Sequence, residues 1–227
     1  NAFTMPVSLP YLRGLAARLA AEQFANEPLI MLSSGGIIGI EVAGRNPVRM
    51  IESGPAAGAL AASHYAELLG LDRLMSFDMG GTTAKGCVVA DHTPLKRYDF
   101  EVARVHEFKR GSGLPVKVPV IDMIEIGSGG GSLAGLDPRG VLRVGPRSAG
   151  ALPGPACYGR GGSLPTLTDA NLVLGYLDAG SFLGGQMALD AQAARDAIAA
   201  QIGAPTGTDL ARAAWGIHEV VNEDVAK

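Results

Sequence analysis

The sequence predicts an α/β protein with an inserted glycine-rich β segment and helices toward its C-terminal end. Three observations predict it. Helical-period and strand-like apolar runs alternate through the first ninety or so positions, the pattern of layered α/β architecture. The 32 glycines fall in clusters beside apolar runs, not in a periodic array. From Asp190 onward, apolar residues keep helical spacing to the end of the chain.

Taken in order, residues 9–24 carry Leu9, Leu12, Leu15, Leu19 and Phe24 on one face and Arg13, Arg18 and Glu22 on the other, an amphipathic helix. A strand over 29–32 runs into Ser33-Ser34-Gly35-Gly36, which reads either as the lining of a ligand crevice or as an ordinary connection. A second strand is expected over 48–51. Pro55 suits the first turn of the next helix, Leu60, Ala61, His64, Tyr65, Leu68 and Leu69 mark its face, and Gly70 suits its C-terminal cap. His64 on that face reads as a packed or surface residue.

Two short β-runs, 74–77 and 85–90, are joined through Asp78-Met79-Gly80-Gly81-Thr82-Thr83. Glycines at 80 and 81 permit backbone conformations closed to other residues and let another group approach closely. Successive amides beside two hydroxyls can form an anion-binding concavity. Asp78 ends the first strand, where a carboxylate would meet magnesium directly or through water. A tight turn capped by an aspartate is the competing reading, and these residues alone leave both open. The segment is neither a Walker A loop nor a dinucleotide fingerprint, because the glycine spacing and the strand-to-helix context of both are missing.

Residues 95–105 alternate but carry Lys96, Arg97, Asp99, Glu101 and Arg104, predicting a long, partly solvated strand. Residues 109–117 are basic and Gly/Pro-bearing, predicting a mobile loop. Strand-like sequence over 116–126 ends in Gly127-Ser128-Gly129-Gly130-Gly131-Ser132. Apolar strand sequence on both flanks favours a close-approach loop over a flexible linker. Asp137-Pro138-Arg139-Gly140 has type I turn chemistry and joins 133–136 to 141–144 as a hairpin. Residues 144–162 hold too much Gly and Pro for regular structure and must be ordered by packing or a ligand; Cys157 within them reads as a small buried core residue. A short helix through Tyr176 follows with Asp169 as its expected N-cap, then a helix over 191–202 capped by Asp190 and closed by Gly203. A last helix starts at Thr208 or Asp209, with Leu210, Ala213, Ala214, Ile217, Val220, Val221 and Val225 on its apolar face.

Length and composition set bounds. With 227 residues, 47% of them hydrophobic and 18% charged, the chain can bury a substantial core. A formal net charge of −3 argues against a broad surface for nucleic acid or anionic membrane. No apolar run reaches membrane-spanning length, and two cysteines make no disulfide framework, so a cytoplasmic setting is expected.

The 78–83 loop resembles the phosphate loops of the actin, sugar-kinase and Hsp70 ATPase superfamily. Together with Ser33-Ser34-Gly35-Gly36, the Gly58-ended block from Ser53, the 126–132 loop, the 154–162 block and Thr168-Asp169-Ala170-Asn171, it makes the chain similar to the hydantoinase A / 5-oxoprolinase family. That resemblance implies one ribonuclease-H-like half of an actin-like ATPase fold with a mixed sheet. It implies an ATP- and Mg2+-dependent enzyme that phosphorylates a cyclic amide, imide or ketone oxygen, assisted by a hydantoinase B-type partner subunit or domain. The implied site is Gly80, Gly81, Thr82 and Thr83 for phosphate and Asp78 for magnesium and catalysis, with Gly127, Gly129, Gly130, Gly131 and Ser132 as a second nucleotide- or substrate-facing loop. Family members also carry an earlier Asp-x-Gly-Gly-Thr and a later Gly-Gly block, neither present here, so the chain is expected to be a central fragment, inactive alone. Lys85 stands where many members have an acidic residue, which puts a metal role there in doubt. Three segments are expected: 1–72, an α/β start; 73–175, the phosphate hairpin and glycine loops; and 176–227, helical. An ATP-dependent ketone carboxylase subunit and a non-catalytic assembly module are the alternatives, with a sugar-kinase-like enzyme behind them.

Overall fold

The structure, a computed structural model, describes residues 1–102 and 111–227. It divides into two compact units. The first comprises Asn1–Asp78 and Lys85–Ile124, the second Met79–Ala84 and Glu125–Lys227.

The first unit opens with helix α1 (Met5–Ala21), whose start precedes the expected one because Pro6 fits the first turn. Leu12 is its buried anchor, packed with Ile40 and Ala43 of α2 (Ile40–Arg45). Between these helices, strands β1 (Leu29–Met31) and β2 (Ile37–Gly39) pair antiparallel with Ile30 opposite Ile38. The Ser33-Ser34-Gly35-Gly36 stretch is the connection inside this hairpin. The Ser33 hydroxyl is buried and donates to the carbonyls of Arg49 and Ile51, so it ties the hairpin down. The strand expected over 48–51 is instead a 3-10 turn at Pro47–Met50. Pro47 fixes its own φ and has no N–H to give a sheet.

Helix α3 (Ser53–Leu69) ends on Gly70 at φ 63°, the left-handed cap anticipated there, and His64 on it is exposed. Strands β3 (Arg73–Met79) and β4 (Ala84–Ala90) pair side by side, and β5 (Thr93–Pro94) pairs antiparallel with β4. The long strand expected over 95–105 is two short ones, β6 (Lys96–Arg97) and β7 (Phe100–Val102). Each pairs antiparallel, β6 with β9 (Val120–Ile121) and β7 with β8 (Leu114–Val116). Strand β8 falls where a loop was expected over 109–117; residues 103–110 of the expected strand and loop lie outside the described residues. Pro119, unable to donate to a ladder, separates β8 from β9. Ala56, Ala59, Cys87 and Ile121 form the core between α3 and these strands.

The chain enters the second unit along β10 (Ile124–Ile126). Strands β11 (Ser132–Leu136) and β12 (Leu142–Ser148) form the expected hairpin, with Leu136 opposite Leu142 and the turn closed by Gly140 N–H donating to the Asp137 carbonyl at 2.8 Å. Strand β12 runs four residues past Val144, further than its Gly and Pro content suggested. Then come α4 (Leu167–Val173), α5 (Ala191–Ile198) continued by a widened turn at Ala199–Gly203, the short α6 (Ala204–Thr206) and α7 (Leu210–Ala226). Asp190 and Asp209 cap α5 and α7 through their side chains. All seven apolar positions expected on the last helix belong to or pack against a core with Ala134, Val144, Leu167, Ala170, Ile198 and Ile202. No helix of the described residues is long and apolar enough to cross a membrane, and Cys87 and Cys157 are both free and buried.

Candidate functional site

The six residues at the tip of the β3–β4 hairpin belong to the second unit, where they meet the 127–132 glycine loop. Two hydrogen bonds join the loops: Gly130 N–H donates to the Gly80 carbonyl at 2.9 Å, and Gly131 N–H to the Gly81 carbonyl at 2.7 Å. Ser148 Oγ adds a third bond to the Gly81 carbonyl at 3.2 Å. A trans peptide points its C=O and N–H in opposite directions. Holding the carbonyls of 80 and 81 against the glycine loop therefore turns the amides of Gly81 and Thr82 away from it. Among the described residues nothing accepts from those two amides, and both residues are exposed. Gly80 N–H closes the turn on the Thr83 carbonyl at 2.9 Å.

Neither Gly80 nor Gly81 adopts a left-handed backbone, and an added Cβ at Gly81 would meet nothing within 4 Å. The dihedral reason expected for these glycines is therefore absent. What remains is access for an approaching group.

The 127–132 loop is different in kind. Gly129 N–H donates to Ser132 Oγ at 2.9 Å, so the amides of Gly129, Gly130 and Gly131 are all engaged within the protein. The Gly130 carbonyl accepts from both the amide and hydroxyl of Thr168, at 2.8 and 2.7 Å. A Cβ on Gly129 would stand 2.7 Å from backbone atoms of Thr82, and one on Gly131 would stand 2.8 Å from the Gly81 carbonyl oxygen. A Cβ on Gly145, itself at φ 72°, would stand 2.8 Å from the Gly127 carbonyl. Ser128 and Ser132 are buried. The loop is a buttress that fixes the hairpin tip.

Beside the two loops lies a cleft of about 390 Å³. Gly80, Gly81, Gly130 and Gly131 form one wall; Thr168 and Asn171 of α4, one helical turn apart, line it further along. Tyr158 and Phe182, 5.7 Å apart between ring centroids, and Leu177 also line the cleft.

The Gly-Pro-rich block owes its order to one buried carboxylate. Asp169 accepts from the amides of Ala156, Cys157 and Thr166 at 3.2, 2.8 and 2.8 Å and from the Thr166 hydroxyl at 2.8 Å. Asp169 is thus not the N-cap of α4: Thr166 is, and Asp169 completes the capping box from the third helical position. This network sinks Cys157 into a core with Leu172, Leu189 and Ala194 and presents Tyr158 to the cleft. Burial, with the Asp169 charge behind it, raises the Cys157 thiol well above its ordinary value, so it is a neutral core group as expected. Burial foremost raises the Tyr158 phenol too.

Asn171 carries a second fixed side chain. Its Oδ1 lies 3.0 Å from Nδ1 of His218 on α7, and that imidazole is flanked by Tyr176, stacked at 5.0 Å, and Trp215 at 5.5 Å. The sequence flagged Thr168 and Asn171 only inside a recurring block and passed over His218. Their convergence depends on α4 packing against α7.

Asp78 is exposed at the end of β3, directly before the tip. Among the described residues no group of three or more His, Cys, Asp or Glu could hold a metal ion. Magnesium here would rest on one carboxylate, water and phosphate oxygens, which suits its habits. Lys85 is paired with Glu52, Nζ to Oε1 at 2.8 Å within the first unit, so its charge serves an ion pair.

Comparison with known proteins extends this picture. The sequence pattern of the hydantoinase/oxoprolinase family matches residues 1–227. Caprolactamase subunit alpha of Pseudomonas jessenii is 43% identical over 223 residues, 98% of this chain and 31% of the relative. 5-Oxoprolinase 1 of Arabidopsis thaliana is 36% identical over 180 residues, 78% of this chain and 13% of the relative. The structure matches nucleotide-free acetone carboxylase with a TM-score of 0.80 at 29% identity, over 96% of this chain and 29% of that one. The chain thus spans about a third or less of the length of these proteins. Its mixed helix and sheet architecture matches those of acetone carboxylase and caprolactamase, and the expected half of an actin-like ATPase fold is consistent with it.

Proposed function

The chain belongs to the hydantoinase/oxoprolinase family, and from that premise we propose that its hairpin tip binds the phosphates of Mg-ATP in an enzyme that activates a cyclic amide or ketone. The observation that carries the reading is the pair of exposed amides at Gly81 and Thr82, turned outward by carbonyls anchored on the glycine loop. With the Thr82 and Thr83 hydroxyls they form a donor set suited to a phosphate. The residues therefore fit the nucleotide. Bound ATP supplies a transferable phosphoryl group, which makes a carbonyl carbon a better electrophile.

The chain's own contribution is positioning. Gly129, Gly130 and Gly131 hold the tip rigid, so its donors need no reorganisation when charge arrives. Asp78 takes the magnesium ion, directly or through water. Asn171 orients the group to be activated, Thr168 holds the Gly130 carbonyl, and the Tyr158–Phe182 pair keeps water from the site. Hydrolysis and carboxylation share this activating step, and relatives of both kinds are similar to this chain. Caprolactamase is named by its alpha subunit, which supports a partner subunit here; we propose one of hydantoinase B type.

Calorimetric titration of Mg-ATP tests the reading. Asp78→Asn and Thr82→Ala should each weaken binding at least about tenfold, roughly 1.4 kcal/mol. Equal binding in wild type and both variants would return the hairpin to a structural role and the chain to an assembly module.

A further inference from the structure

The chemistry of the cleft's lining says more about what it holds. Among the described residues, no Asp, Glu, Lys, Arg or His lines it. A carboxylate that leaves water into this lining meets no cationic side chain and brings no magnesium with it, as the phosphates at the tip do, whereas a neutral carbonyl needs only one donor. At about 390 Å³ the space is at the small end of ligand pockets, roughly 300–1,000 Å³. Of the two α4 side chains that line the cleft, Thr168 spends its hydroxyl on the Gly130 carbonyl, and Asn171 Nδ2 has no acceptor among the described residues. Its Oδ1 lies 3.0 Å from Nδ1 of His218, whose ring stacks on Tyr176, and this leaves Nδ2 as the unpartnered end of the amide.

We infer that Asn171 is the specificity-determining donor of the cleft, that His218 positions it, and that the site selects neutral, apolar carbonyl compounds over carboxylate-bearing ones. This rests on the reading of the hairpin as a phosphate site in a carbonyl-activating enzyme. The substrate's body lies against Tyr158, Phe182 and Leu177, and its oxygen accepts from Asn171 Nδ2. Asn171 and the hairpin tip line the same cleft, so that orientation keeps the oxygen within it.

The test is calorimetry on the protein without nucleotide, with ε-caprolactam and 5-oxoproline as probes. The first is a neutral cyclic amide, the second a cyclic amide with a carboxylate. Caprolactam should bind at least about tenfold more tightly than 5-oxoproline, a difference of roughly 1.4 kcal/mol. Asn171→Leu should weaken caprolactam about tenfold, the loss of one buried hydrogen bond. His218→Leu should weaken it several-fold and His218→Gln, which restores an N–H donor, should recover most of the loss; a merely structural histidine would not show that rescue. Mg-ATP binding should be unchanged in all three variants. Equal or tighter binding of 5-oxoproline, no binding of caprolactam, or displacement of caprolactam by adenosine would each overturn the inference; the probe comparison needs no variant to fold. Loss of Mg-ATP binding in Thr82→Ala with caprolactam binding intact would leave the inference standing. Mg-ATP binding without caprolactam binding would overturn it and spare the nucleotide reading.

Discussion

The second unit contains two glycine loops that look alike in sequence and do opposite work. At 127–132, glycine is demanded by the fold: a Cβ at Gly129 or Gly131 would run into the backbone of the hairpin tip, and the amides there are used within the protein. At the tip, Gly81 is demanded by nothing in the chain: its surroundings are open, its φ is ordinary, and its amide has no acceptor among the described residues. A glycine that the fold does not need is evidence for an approaching ligand. A glycine that the fold does need is evidence only for packing. The buttress loop is rigid so that the tip can be presented, and the two roles should separate under mutation.

The largest effect is expected below both loops. Asp169→Asn keeps the size of a buried carboxylate that accepts four hydrogen bonds but sets an N–H2 against amide donors. Chemical denaturation should show a loss of about 3–5 kcal/mol. Gly129→Ala should cost about 2–3 kcal/mol by the same measurement, because the added methyl meets backbone and not a flexible side chain. Thr166→Ala removes the N-cap of α4 and should cost about 1–2 kcal/mol. The smallest effect is on pH dependence. Since burial raises the Cys157 thiol, folding favours its neutral form; that stability is whole below the ordinary thiol value of 9.0 and is lost as pH climbs above it. Unfolding free energies at pH 8 and pH 10 should differ in wild type and differ less in Cys157→Ala, where Cys87, raised likewise by burial, keeps part of the gap.

Much of this was legible in the residues. The last helix, its seven apolar positions and its Asp209 cap follow from period and chemistry alone, as do the Asp190 cap, the Gly70 cap and the Asp137–Gly140 turn. Errors gathered where prolines interrupt short apolar runs. Pro47 converts an expected strand to a 3-10 turn, and Pro119 breaks up the expected 116–126 strand. The site was legible as blocks but not as a division of labour. Nothing local distinguishes Gly81 from Gly131, because the difference lies in which backbone comes within 3 Å of each. His218 stood on a helix face that period explains completely; only its contact with Asn171 from 47 residues away gives it a role.

The measurement closest to the central claim pairs Mg-ATP calorimetry with thermal unfolding for Gly81→Ala. The unfolding midpoint should equal that of wild type or lie slightly higher, since alanine restricts the unfolded chain by about 0.4–1 kcal/mol where its backbone is compatible. Mg-ATP binding should weaken by at least about tenfold, as the methyl crowds the phosphate and its donors. Unchanged nucleotide binding with an unchanged midpoint would contradict the phosphate-binding reading and leave the hairpin tip as a turn and no more.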